Sequence, residues 1–273
     1  MGREWKRYEG TAQRELFRSL RTRFLLRHSG SGGTVLEVGS GPGRFLPHLG
    51  APQSRRVALD LSQEMLREIP AHWPTLATAG PLPDRIRGDG MRPPFRPGSF
   101  EVVAALGNAI GFSGASAPSF LSVLAALVRP GGFLVLETVA GPGEASNYLS
   151  RLPPGAVRRL LRSPLSAVKA RIESEGFRPE SPRERASESF RRLDAHAVHD
   201  ALKASGLEPI ETMAVAPLTG PLAERISAVR EDASAWGRLF ELEESIGRSA
   251  DRWRFAAALL VAAHRPGGPV HGS

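Results

Sequence analysis

Three carboxylates and a glycine-rich bend carry most of the chemistry that can be read from the chain. Residues Val35 to Phe45 read VLEVGSGPGRF, an apolar strand that enters a bend with Gly39, Gly41 and Gly43 and then, by its pattern, a helix. Glycines at such a bend let the backbone approach a ligand with no side chain between, and a helix start offers free N–H groups. Glu37 stands just before the bend, where a negative charge opposes a phosphate but suits a ligand bearing an ammonium and a sulfonium. The dinucleotide pattern G-x-G-x-x-G fails in either frame, because Arg44 or Leu46 stands where the third glycine belongs. A pyrophosphate cradle, and with it a nicotinamide oxidoreductase, is thereby disfavoured.

Asp60 closes the next apolar run, RVALDL, 17 positions after Gly43, where a carboxylate can accept hydrogen bonds from both hydroxyls of a ribose. Asp89, in RGDGMRPPF, follows a further short extended segment and can accept from an adenine amino group. Each acid alone is commonly a helix cap or a turn residue. At successive strand ends around one glycine bend, they point to a single nucleoside with a charged sulfur. The run LGNAIGF, at the end of the following strand, places Leu106, Gly107 and Asn108 beside that sulfur, although Asn108 reads equally well as a turn residue or cap.

The elements that must position these residues alternate. Strand-like runs at 34–39, 56–61, 100–106 and 132–139 are apolar at nearly every position, with helical stretches at Ser62 to Ile69 and Ser119 to Val128 between them. A helix near Asp194 to Ser205, a strand near Pro209 to Ala216, a long helix near Leu222 to Gly247 and a last strand, Phe255 to Ala262, follow. The expected fold is α/β: a doubly wound, seven-stranded, mostly parallel sheet with helices on both faces and a helical cap. Within one domain, 1–28 carries a basic amphipathic helix, 34–140 the cofactor half, 141–190 the cap or lid, 191–264 the rest of the sheet, and 265–273 a disordered tail.

These motifs resemble those of the class I S-adenosylmethionine-dependent methyltransferases, especially the small-molecule group. VLEVGSGPGRF is similar to that family's first motif, VALDLSQEML to its second strand with the ribose-binding acid, and GDGMRPPFRPGSFEVVAAL to the segment that precedes and includes the fourth strand. LVRPGGFLVLET resembles the helix, glycine turn and fifth strand beyond it. The likeness covers about Thr34 to Thr138. It implies S-adenosyl-L-methionine as cofactor and S-adenosyl-L-homocysteine as product, with Glu37, Gly39 and Gly41 at the methionine part, Asp60 at the ribose, and Asp89 and Met91 at the adenine. The wider candidate contacts are Ser40, Gly43, Arg44 and Phe45 along the bend, Leu61 and Met65 after the second strand, Gly88 and Gly90 flanking Asp89, and Leu106, Gly107 and Asn108. Glu101 departs from the aspartate usual in the fourth strand, at its beginning and away from the ligand.

Methyl transfer from a sulfonium needs alignment and exclusion of water more than a base, so no catalytic residue is assigned. His196 and His199 lie one helical turn apart, but no carboxylate motif completes a metal set, and no metal is expected. No NPPY-like tetrapeptide and no cysteine is present, which disfavours two routes of nucleic-acid base methylation. The leading expectation is a small-molecule acceptor, methylated on nitrogen, oxygen or carbon beneath the cap. RNA is the alternative: the net charge is +8, and segment 1–28 holds eight Arg or Lys against three Glu, so an Arg14, Arg18 and Arg21 face could hold phosphates. A cofactor-binding regulator without transfer activity is a second alternative. The longest apolar stretch, Phe255 to Ala263, is too short for a membrane span, and the charged first residues lack a secretion signal, so cytoplasmic residence is expected.

Overall fold

The computed structural model describes residues 5, 10–30, 32–75, 80–111, 117–139, 162–164, 167, 195–217, 226–250, 253, 256 and 258–267. The expected cap at 141–190 therefore lies outside the described residues except at 162–164 and 167, as do residues 268–273 of the tail.

The strands are β1 (Thr34–Val38), β2 (Arg55–Asp60), β3 (Asp84–Arg87), β4 (Phe100–Ala105), β5 (Val128–Val139), β6 (Glu208–Val215) and β7 (Ala258–His264). They form one seven-stranded sheet in the order β3-β2-β1-β4-β5-β7-β6. Every neighbouring pair from β3 to β5 is parallel, and β7 runs antiparallel between β5 and β6. The strand order reverses direction between β1 and β4, the point at which open sheets of this kind leave a crevice beyond their carboxyl ends.

The helices are α1 (Ala12–Arg27), α2 (Gln63–His72), α3 (Ala117–Leu127), α4 (Ala195–Ala204), α5 (Ile226–Val229) and α6 (Ala233–Gly247). Buried residues of α1, α2, α5 and α6 share a core with Val35, Ala58, Val102, Ala104 and Val135 on one face of the sheet. Those of α3 and α4 pack with Leu36, Leu59, Val103 and Leu134 on the other. Alternation along each strand thus sends successive residues to opposite faces, both of them dry. No helix among the described residues is long and apolar enough to cross a membrane.

Four local readings are corrected. The bend after β1 does not start an α-helix: only a 3₁₀ turn forms, Leu46–His48, with Pro47 at its start and Gly50 beyond it at φ +72°. Proline and glycine in LPHLGAP remove a donor and favour a turn, so propagation fails. The carbonyls left over by that failure are met by Arg56 of β2, whose buried guanidinium donates to Leu46 O, Ala51 O, Pro52 O and Ser54 O at 2.8–3.2 Å.

The glycine turn expected before the fifth strand is instead an irregularity inside it. β5 begins at Val128, opposite Phe100, and the register then shifts so that Phe133 faces Val102. Gly131, at φ +76°, and Gly132 are bonded to Arg265 beyond β7, and a Cβ on Gly132 would stand 2.6 Å from Glu101 O. The long helix expected over 222–247 divides into α5 and α6, because Asp232 caps a fresh start by accepting from Ser234 N and Ala235 N.

The fourth correction concerns α1. Leu20 and Phe24 are fully buried, but Phe17, expected with them on one apolar stripe, is only partly buried, and Leu16 and Arg21 are buried beside them. Both Nε and Nη2 of Arg21 donate to the carboxylate of Glu137 near the end of β5. Arg23 and Arg27 bind Glu244 of α6, and Arg27 and His28 also bind Glu211 of β6. The proposed phosphate-holding face therefore loses Arg21, and the basic character of α1 largely serves its docking onto acids of the same chain.

Candidate cofactor cleft

The cleft lies at the carboxyl ends of β1, β2, β3 and β4. In the parallel registers Glu37 faces Ala58 of β2 and Ala104 of β4, and Asp60 faces Arg87 of β3, two residues before Asp89. The three acids expected to converge thus close neighbouring strands. Backbone bonds tie the ends together: Gly39 N and Ser40 N donate to Leu59 O, and Gly88 N donates to Asp60 O.

Asp60 organises the bend. Its Oδ2 accepts from Gly41 N at 2.7 Å and its Oδ1 from Ser62 N at 2.8 Å, so each oxygen keeps a second lone pair for a ligand hydroxyl. Gly39, Gly41 and Gly43 all have positive φ, which glycine adopts without steric cost. A Cβ on Gly39 would meet the Ala109 side chain at 2.9 Å, whereas one on Gly41 would project into open space. Gly107, at φ +60°, also faces open space. Backbone is thus exposed to the cleft from two sides.

Glu37 is the one acid buried within it, 2% exposed, and its Oε2 has no hydrogen-bond partner among the described residues. Burial, and secondarily the charge of Asp60, raise its pKa from 4.5 to about 8. An ammonium placed against Oε2 would satisfy the oxygen and favour the charged carboxylate. The orphaned oxygen, the free lone pairs of Asp60 and the open space at Gly41 fit a ligand that carries an amino group at one end and a ribose at the other.

The remaining candidates divide. Asp89 is exposed, its Oδ1 accepting from Met91 N at 2.9 Å, and Met91 packs on the core below it. Gly88 and Gly90 flank it, and a Cβ on Gly90 would stand 2.7 Å from Val38. Leu61 is 67% exposed, an apolar side chain held up at the edge of the cleft. Met65 is half-buried on the first turn of α2, and Ser40 is buried within the bend.

Phe45 and Leu106 instead send their side chains into the α1-side core. Arg44 stacks its guanidinium over Trp5 at 4.3 Å and borders a groove of about 610 Å³ lined by α1, α6 and the turn after the bend, with Arg18, His48 and Phe240. Asn108 has φ +65°, its carbonyl accepts from Gly111 N, and its side chain lies over Gly111, as a turn residue would. His199 is bonded to Thr212 at 2.7 Å while His196 is exposed, and no group of three potential metal ligands occurs among the described residues.

Sequence reasoning passed over Glu137. Its Oε2 accepts from Gly107 N at 3.2 Å as well as from Arg21, which links α1 to the cleft wall. The available signal was an acid inside the apolar run FLVLETV, where a buried charge requires a partner.

Residues 35–132 match the family described as Methyltransferase domain. No curated protein matches the chain. Among solved structures, the chain resembles one in the complex between the Haloferax volcanii Trm112 methyltransferase activator and a methyltransferase, at TM-score 0.56 and 19% identity, covering 94% of this chain and 93% of that one. It also resembles the magnesium protoporphyrin IX methyltransferase of Synechocystis PCC 6803 with bound S-adenosylmethionine, at TM-score 0.51 and 14% identity, covering 96% and 89%. The [4+2]-cyclase SpnF aligns at TM-score 0.53 and 16% identity, covering 96% and 85%. At these identities the likenesses show the fold, which hosts more than one chemistry. The family match covers the glycine bend and its flanking strands, so residues 35–132 are similar to a methyltransferase domain, and the sheet around them has the fold of these solved structures.

Proposed function

We propose that this chain is an S-adenosylmethionine-dependent methyltransferase that acts on a small-molecule acceptor and holds its cofactor with the residues gathered at the carboxyl ends of β1 to β4. The observation that carries the site is the buried, unpartnered Oε2 of Glu37 beside Asp60 and the open backbone at Gly41. In this reading Glu37 binds the amino group of the methionine part, with Gly39, Ser40 and Gly41 along its chain. Asp60 accepts from the ribose hydroxyls. Asp89 and Met91 hold the adenine, and Leu61 covers it. The backbone of Leu106, Gly107 and Asn108 forms the wall nearest the sulfur.

S-adenosylmethionine supplies a methyl group on a positively charged sulfur, an electrophile that needs no further activation. The chain's own contribution is to orient an acceptor lone pair in line with that methyl and to exclude water. Positioning of this kind can supply on the order of 7 kcal/mol or more of the barrier reduction. A dry, weakly polar pocket at the transferring methyl would favour the step. No side chain is assigned as a base.

A small acceptor is favoured over RNA by the engagement of α1. Of the face proposed for phosphates, Arg21 is buried against Glu137, and on the same helix Arg23 is held by Glu244 and Arg27 by Glu211 and Glu244. Calorimetry tests the site: Asp60→Ala should weaken S-adenosylmethionine binding at least tenfold, and unchanged affinity would reject the ribose role.

A further inference from the structure

We propose that the Arg21–Glu137 pair is a latch through which α1 positions the Gly107–Asn108 turn of the cofactor cleft. The inference rests on the cofactor site proposed above. Arg21 Nε and Nη2 meet Glu137 Oε2 and Oε1 at 2.9 and 2.5 Å, a side-by-side pairing of two planar groups. Both side chains are about 5% exposed, and Arg21 Nη1 also donates to Phe17 O, which fixes the guanidinium on its own helix. Glu137 Oε2 then accepts from Gly107 N at 3.2 Å. One carboxylate is thereby shared between a helix on the face of the sheet and the backbone of the turn at its edge.

The turn takes one hold from outside itself, since Gly107 N donates to Glu137. Gly107 and Asn108 are consecutive residues at φ +60° and +65°, a conformation that glycine adopts freely and asparagine tolerates better than most side chains. Ala109 directly follows, and its side chain is what a Cβ on Gly39 would strike, so a shift of the turn is transmitted to the glycine bend. Burial of an ion pair is a poor source of stability, since an apolar pair of similar volume would hold α1 to β5 as well. An apolar pair would offer Gly107 N no acceptor. The function of the pair is therefore orientation. Among the described residues, the other ion pairs of α1 join Glu15 to Arg230, Arg23 and Arg27 to Glu244, and Arg27 to Glu211, and none of these acids bonds to the turn.

A latch of this kind couples the cleft to α1, and coupling of binding energies is reciprocal. Three variants and hydrogen exchange test it on the full chain. Arg21→Met should weaken S-adenosylmethionine binding at least fivefold and speed exchange at the Gly107 amide, with or without cofactor. Arg21→Lys should recover part of both. Arg27→Met should lower the melting temperature while leaving the affinity unchanged. In the wild type, saturating S-adenosylmethionine should slow exchange within residues 12–27.

The proposal is overturned if Arg21→Met folds with wild-type affinity and unaltered Gly107 protection, or if Arg27→Met weakens binding as much as Arg21→Met. Should Arg21→Met fail to fold, Arg21→Lys and the wild-type exchange decide: an α1 indifferent to cofactor overturns the latch. Failure of the cofactor site reads differently. Asp60→Ala would then bind S-adenosylmethionine like the wild type, while the loss of Gly107 protection in Arg21→Met, measured without cofactor, would still report on the latch.

Discussion

Glu37 and Asp60 close adjacent parallel strands, and the charge of Asp60 adds to burial in lifting the Glu37 pKa to about 8. At neutral pH the free protein therefore holds a proton on Glu37 that an incoming ammonium must displace. S-adenosylmethionine affinity should rise between pH 6 and 7.5, approaching tenfold per pH unit at most. Glu37→Gln should bind more weakly and lose that slope in calorimetry. A wild-type affinity flat over this interval would remove the ammonium-binding role.

The same shift bears on stability without cofactor. Because the folded pKa lies above the unfolded value of 4.5, the contribution of Glu37 is fully present below pH 4.5 and is lost as pH rises through about 8. Denaturant unfolding of Glu37→Gln should therefore show a gain over the wild type that grows from pH 5 to pH 8. An equal gain at both ends would contradict the assigned protonation.

Glu211 works in the opposite sense. Desolvation alone would raise its pKa, but hydrogen bonds from His28, Arg248 and Arg27 lower it to about 2. Its contribution is present above pH 4.5 and is lost as pH falls toward 2. The melting point of Glu211→Gln should lie below that of the wild type at pH 6, with the gap closing on acidification. A gap independent of pH would show that the loss is one of packing.

Arg56 stands in for the helix that Pro47 and Gly50 prevent. Replacing it with Met leaves buried carbonyls of residues 46–54 without donors, at about 1–3 kcal/mol for each group that finds no water. Thermal unfolding should shift down by several degrees, roughly 2–4 °C per kcal/mol for a chain of this size. A neutral Arg56→Met would mean that solvent reaches the loop.

Gly41 faces open space at φ +52°, so Gly41→Asn, a residue that tolerates this backbone better than most, should weaken S-adenosylmethionine binding more than it lowers the melting point. A side chain there fills the cleft and meets no core atom. For the acceptor, bulk RNA should bind this chain weakly at moderate salt. Tight binding that falls steeply between low and moderate salt would favour the nucleic-acid alternative.

The sequence by itself determined the sheet and the acids at its edge. Strands buried on two sides must be apolar throughout, and a charge such as Glu37 or Asp60 at the end of such a run has few places to go but the crevice. The turn at Asn108 and the cap at Asp232 belong to short-range chemistry of the same kind, although Asp232 was hidden inside a helical pattern. Only the tertiary structure decided the partners of the buried charges. Arg21 lies on an arginine-rich helix and Glu137 is 116 residues away, so no local periodicity could distinguish a guanidinium bound for the core from one bound for solvent. Likewise Arg56 gained its role only because the residues after the glycine bend did not form a helix, a competition settled by proline, glycine and a carbonyl-lined loop closing on it. Long-range pairing of charge depends on which faces the fold brings together, and that information is not carried by spacing along the chain.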